Sequence, residues 1–112
     1  MAFEKICTLD DVWEGEMEVF ETSDKTEVLV TVIDGGDVKA YQAMCPHQDI
    51  PLVEGEFDGK QLTCRAHLWQ FDCTNGKGIN PEDSKLSEYP IKLEGDDVFV
   101  NIEGITPFVA PT

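Results

Sequence analysis

The chain has 112 residues, 41% of them apolar, and a formal net charge of −15 at pH 7. That length suits one domain with a modest core and leaves no room for a second catalytic domain. The acidic balance excludes binding to nucleic acid, which needs a basic surface, and disfavours anionic membranes. Because the sequence has neither a secretory signal nor an apolar run of about 18 residues, we expect a cytoplasmic monomer without a membrane anchor.

The predicted elements are short strands separated by turn residues, and no long stretch has the 3.6-residue period of a helix. In chain order the predicted strands are 3–7, 27–33, 38–43, 61–64, 69–72, 90–93 and 98–102, with one helical turn after Thr8. Turns rich in glycine and aspartate at 34–37 and 94–97 indicate two hairpins. We also expect Trp13 in the core. The pattern predicts an all-β fold, as a sandwich or a small barrel.

The middle of the chain, from Cys45 to about Asp83, is rich in proline, glycine, aspartate and asparagine. So long an irregular stretch inside a compact domain needs something to order it and a function to explain it. A metal centre would supply both.

Two segments of this stretch each pair a cysteine with a histidine. They are Cys45-Pro-His47 and, after sixteen residues, Cys64-Arg-Ala-His67, and they contain both histidines of the chain. Zinc accepts two cysteines and two histidines in a closed tetrahedral site, but its usual pairs join like residues. Mixed pairs fit a binuclear iron centre better, with the cysteines on one iron and the histidines on the other. A zinc-stabilised binding module remains the alternative.

The spacing Cys-x-His followed by Cys-x-x-His resembles the Rieske 2Fe–2S signature. The flanking segments 68–72, 74–76, 78–81 and 94–100 are also similar, so the resemblance covers essentially the whole chain. It implies stacked antiparallel sheets in a single domain over 1–112, with a two-loop cluster-binding subdomain at about 43–84 inserted in a β base. It also implies one 2Fe–2S cluster held by Cys45, His47, Cys64 and His67.

The number of histidines then indicates an electron carrier rather than an enzyme. A Rieske oxygenase needs further histidines for a second, mononuclear iron, and none is left here. Rieske subunits of cytochrome bc complexes carry a loop disulfide and two hydroxyls bonded to cluster sulfurs. By resemblance these positions are Ile50 and Ala66 for the disulfide, and Trp69 and Phe71 for the hydroxyls. We therefore expect a potential at the low end of the Rieske range.

The segments 40–49, 64–69 and 78–81 resemble the ferredoxin of four-component toluene and xylene monooxygenases. That resemblance implies two transient partners, an NADH-dependent flavin and iron–sulfur reductase and a diiron hydroxylase of aromatic rings. The alternatives are the ferredoxin of a Rieske non-haem iron aromatic-ring dioxygenase and the small component of a nitrite reductase.

Five residues near the ligands are candidates for partner contact or for surrounding the cluster: Pro46, Gln48, Arg65, Trp69 and Pro81. Trp69 either meets a partner or packs as ordinary core. Arg65 either pairs with a partner's carboxylate and screens the cluster, or is solvated. The acidity of the chain either maintains solubility or steers the protein toward a basic patch on a partner.

The other two cysteines, Cys7 and Cys73, have no neighbouring histidine at a ligand-like spacing. We expect both to be free thiols that are buried or half-buried.

Overall fold

The computed structural model describes residues 3–46, 50–65, 69–80, 82 and 84–109. Within those ranges the secondary structure is almost entirely β, which confirms the predicted fold class. The elements are β1 Glu4–Thr8, β2 Met17–Glu21, β3 Glu27–Val32, β4 Val38–Gln42, a 3₁₀ turn Leu52–Glu54, β5 Glu56–Phe57, β6 Gln61–Thr63, β7 Gln70–Asp72, β8 Gly78–Asn80, β9 Glu88–Tyr89, β10 Ile91–Glu94 and β11 Asp97–Val100.

The strands form three antiparallel sheets. The first has the order β1-β11-β10, the second β2-β3-β4-β9, and the third β5-β6-β7-β8. Since β4 precedes the third sheet in the chain and β9 follows it, the third sheet is an excursion from the second. The hairpins predicted around 34–37 and 94–97 are both present, as β3–β4 and β10–β11.

The second sheet has buried side chains on both of its faces, and β3 shows why. Val28, Val30 and Val32 pack with residues of the first sheet, such as Val98. Leu29, between them, packs on the opposite face with residues of the third sheet. A strand covered on both sides has no polar face, which explains the continuous apolar and β-branched run from 28 to 33.

The N-terminal segment differs from the sequence prediction in three ways. A hydrogen-bonded turn replaces the predicted helical turn: the Asp11 N–H donates to the Thr8 carbonyl at 3.0 Å, and the Thr8 N–H donates to the Asp11 carboxylate at 2.8 Å. Trp13 is 65% exposed rather than in the core, where its neighbour Val12 is buried instead. Strand β2 was not predicted, because its acidic residues belong to a charged run that hides the alternating burial of Met17 and Val19.

Segment 78–80 also differs from expectation. No strand is predicted there from the sequence, whereas residues Gly78–Asn80 form β8 and pair with β7. Among the described residues, no helix has both the length and the apolar character required to cross a membrane.

Candidate metal centre

Two loops next to the third sheet are each closed by a backbone hydrogen bond of the same kind. The Cys45 N–H donates to the Ile50 carbonyl at 3.0 Å, and the Cys64 N–H donates to the Trp69 carbonyl at 2.7 Å. Each bond joins a residue to the fifth residue after it, so each loop begins at a cysteine. The two segments that the sequence singles out therefore have matching backbone closures.

Tight backbone packing brings these two loops together. The Leu52 N–H donates to the Ala43 carbonyl at 2.9 Å, which closes the base of the first loop below Cys45. The 3₁₀ turn then leads into Gly55, where an added Cβ would lie 2.0 Å from the carbonyl oxygen of Thr63. Since Thr63 immediately precedes Cys64, glycine at position 55 permits the close approach of the chain after the first loop to the start of the second.

A side-chain contact also joins the two loops. The Arg65 guanidinium Nε donates to Oε1 of Glu54 at 2.7 Å, and both side chains are about half exposed. Arg65 thus has a carboxylate partner within its own chain rather than solvent alone. No local pattern in the sequence points to Glu54, because an ion pair between residues eleven positions apart has no periodicity. An exposed pair of this kind contributes little stability, about 1 kcal/mol at most.

Both cysteines at the loop starts are buried. Cys45 is 3% exposed and Cys64 is fully buried. They belong to one group of packed apolar side chains with Leu52, Leu62 and Phe71. The third sheet and the second therefore share this core directly beneath the two loops.

The residues around the loops have different exposures. Pro46 is buried, Trp69 is half-buried and packs against the core group of Cys45 and Cys64, and Arg65 is exposed. His47, Gln48, His67 and Pro81 lie outside the described residues. With both histidines outside, the described part of the chain contains no metal site of three or more ligands.

The donor set suits the chemistry of an iron–sulfur cluster. Cluster irons take thiolate ligands, and in Rieske centres imidazoles replace two of them. No disulfide links Cys45 or Cys64 to any other cysteine, and both lie in the apolar surroundings that shield a cluster from water. Each loop carries one histidine between its closing residues. The residues present therefore fit a Rieske-type 2Fe–2S centre.

Neither of the other two cysteines begins one of the two loops, and the pKa of each thiol is raised. Burial raises the pKa of the Cys7 thiol to about 11, and burial with the nearby Asp72 raises that of Cys73 to about 12. Both residues are buried and free of disulfides, as expected. Their thiols stay protonated at neutral pH.

We expect this protonation to make the native protein inert toward thiol reagents. At pH 8 neither Cys7 nor Cys73 should react with a disulfide reagent over hours, because access and thiolate are both lacking. Four thiols should appear after unfolding with a chelator. The pKa of a cysteine thiol is 9.0 in the unfolded chain, but about 11 for Cys7 and about 12 for Cys73 in the folded protein. The free energy of unfolding should therefore fall as the pH rises above about 9. Rapid labelling of one native thiol would contradict this account.

Comparisons with known proteins bear on the identity of the centre. The family model of the Rieske [2Fe-2S] domain matches residues 2–90. The ferredoxin component of an alkene monooxygenase system from Xanthobacter autotrophicus Py2 is 43% identical over 100 residues, covering 88% of this chain and 80% of the relative. The ferredoxin component of biphenyl 2,3-dioxygenase from Rhodococcus jostii RHA1 is 37% identical over 105 residues, covering 93% and 96%.

The fold has solved counterparts as well. The ferredoxin of carbazole 1,9a-dioxygenase from Nocardioides aromaticivorans IC177 superposes with a TM-score of 0.78 at 26% identity, covering 89% of this chain and 97% of that one. These matches favour an iron–sulfur cluster over a zinc ion as the group that the centre binds. The chain belongs to the Rieske [2Fe-2S] domain family, as an electron-carrying ferredoxin with one Rieske-type cluster rather than an enzyme.

Proposed function

We propose that Cys45, His47, Cys64 and His67 hold the cluster, the two cysteines on one iron and the two histidines on the other. The single observation that carries this proposal is the pair of matching loops, each of which starts at a buried cysteine and closes five residues later. We further propose that residues 43–84 form the cluster-binding subdomain of a single domain over 1–112.

In this scheme the protein binds and orients a group that takes up and releases one electron at a time. The apolar core below the loops excludes water from Cys45 and Cys64 and shields their charge. Because both cysteine side chains face the core, the histidine-bearing parts of the loops are the proposed route by which electrons enter and leave.

We infer that the donor is an NADH-dependent reductase and that the acceptor is a diiron hydroxylase of aromatic rings such as toluene, xylene or phenol. Ring hydroxylation with oxygen requires two electrons, so the carrier must visit the hydroxylase twice per product. Support comes from the resemblance of segments 40–49 and 64–69, and from 43% identity to a monooxygenase ferredoxin. Two successive partners imply small, transient interfaces and a monomeric carrier, here proposed to be cytoplasmic.

A second candidate has its own support. The 37% identity to a biphenyl dioxygenase ferredoxin extends over 93% of this chain. In that case the acceptor would be a Rieske non-haem iron dioxygenase, and the ring would gain two hydroxyl groups in one reaction.

Reconstitution separates the two candidates. The purified ferredoxin is combined with NADH, a reductase, and either a diiron hydroxylase or a Rieske dioxygenase, and the products are identified by mass spectrometry. We expect phenolic product from the hydroxylase, with about one NADH consumed per product. A variant with Cys64→Ser serves as the matched control, since it should support no turnover. Dihydrodiol from the dioxygenase with no phenolic product from the hydroxylase would overturn the proposal in favour of the second candidate.

A further inference from the structure

The side chain of Gln42, at the end of β4 and three residues before Cys45, uses all of its hydrogen-bonding capacity. It is 2% exposed. Its amide nitrogen donates to the carbonyls of Met44 and Phe108, each at 3.0 Å. Its amide oxygen accepts from the N–H groups of Ser87 and Phe108, each at 2.8 Å. An amide has two donors and two acceptor positions, so Gln42 is fully satisfied in this buried place.

One of these bonds acts on the peptide group that leads into Cys45. The Met44 carbonyl and the Cys45 N–H belong to a single planar unit. Gln42 holds the carbonyl end, and the Ile50 carbonyl holds the N–H end at 3.0 Å. With both ends fixed, the unit cannot rotate about the chain axis. The position of the Cys45 Cα is fixed with it, so only rotation about the N–Cα bond is left to set the direction of the Cα–Cβ bond.

The two bonds of Gln42 to Phe108 connect this peptide group to the C-terminal segment, residues 105–109. The Ser87 hydroxyl donates to the Thr106 carbonyl at 2.7 Å, and the Lys85 ammonium lies 5.4 Å from the centre of the Phe108 ring. A cleft of about 490 Å³ runs between this segment and the first loop, and Phe108 and Cys45 are among its lining residues. The segment lies beyond residue 90, where the match to the family model ends.

We propose that Gln42 is a positioning residue, which couples the C-terminal segment to the loop carrying Cys45 and thereby fixes the geometry of that thiolate. The inference rests on the proposed ligand set. Nothing in the sequence pattern predicts the coupling, since Gln42 and Phe108 are 66 residues apart.

The test replaces Gln42 by methionine, which keeps the chain length and removes all four hydrogen bonds. We expect the reduced protein to give a broadened EPR spectrum, because the freed peptide unit lets Cys45 adopt several orientations. We also expect a chelator to remove the cluster about tenfold faster, the factor that corresponds to one net hydrogen bond. Both measurements are made on full-length protein and normalised to iron content.

Two controls separate positioning from general destabilisation. Gln61→Met makes the same change at an exposed position on β6 and should leave both readouts unchanged. Val98→Ala removes buried apolar volume between the first and second sheets, away from the loops, and should lower the Tm without broadening the EPR lines. If Gln42→Met does not accumulate with cluster, Ser87→Ala is used in its place. This variant removes the bond to Thr106 and should broaden the EPR lines in the same way but to a smaller extent.

The outcomes are distinct. If Gln42→Met loses cluster no faster than Val98→Ala at an equal fall in Tm, and its EPR lines stay narrow, the proposal is overturned. Unchanged lines in Ser87→Ala overturn it where Gln42→Met yields no holoprotein. Retention of the cluster by Cys45→Ser would instead refute the ligand set, whatever the result at Gln42.

Discussion

Replacing Cys45 or Cys64 by serine is expected to yield protein with neither bound iron nor acid-labile sulfide. Each of these cysteines starts one of the two matching loops, and each is buried among apolar side chains that offer no substitute ligand. A serine hydroxyl stays protonated at neutral pH and is a poor ligand for iron in a sulfide-bridged centre. Iron content should fall from two per chain to near zero, together with the red-brown colour and the EPR signal of the reduced protein.

The remaining cysteines provide matched controls for this experiment. Cys7→Ala and Cys73→Ala remove thiols that are equally buried but that we assign no ligand role. Each should cost stability through lost packing, on the order of 1 kcal/mol, while keeping two irons per chain. Full cluster content in Cys64→Ser, or its loss in Cys73→Ala with the fold intact, would refute the assignment.

We expect the midpoint potential of the cluster to be on the order of −150 mV, at the low end of the Rieske range. Hydrogen bonds to cluster sulfurs stabilise the reduced form, because that form carries one more negative charge. The resemblance to cytochrome bc subunits places hydroxyl donors at positions that Trp69 and Phe71 occupy here. Phe71 is fully buried in the same core group as Cys45 and Cys64, and it offers no hydroxyl.

Phe71→Tyr tests this explanation by adding the missing hydroxyl. A hydrogen bond to a charged group is worth about 1.5–3 kcal/mol, and one electron corresponds to 59 mV per tenfold change. The hydrogen bond also stabilises the oxidised form to a smaller extent, and only the difference between the two forms shifts the potential. We therefore expect the potential to rise by roughly 50 mV.

Phe57→Tyr is the control for that variant. Phe57 is half-buried on β5 and packs against the same core group, so the chemical change is identical but the position has no counterpart among the hydroxyl donors. Its potential should match that of the unmodified protein. A native potential well above zero, or equal shifts in the two variants, would contradict the account.

The local pattern of the sequence was sufficient to identify the centre. The cysteine and the histidine of each pair lie two or three residues apart, and ligand spacing is a property of short segments. The hairpins β3–β4 and β10–β11 were predicted for the same reason, because glycine and aspartate turns specify their own geometry. Strand β2 was missed because its acidic residues mask a two-residue alternation that becomes evident once Met17 and Val19 are packed.

The fold class, the cluster type and the four candidate ligands follow from the sequence, because ligand spacing and strand patterning are encoded in short segments. Three other features become evident only in the folded chain: Trp13 faces solvent, Gly55 lies against Thr63, and Arg65 binds Glu54. The same holds for Gln42, which bonds both to the peptide before Cys45 and to Phe108, 66 residues further along the chain. Such contacts depend on which faces of the sheets pack together, and that choice is made by the whole chain when it buries its apolar surface.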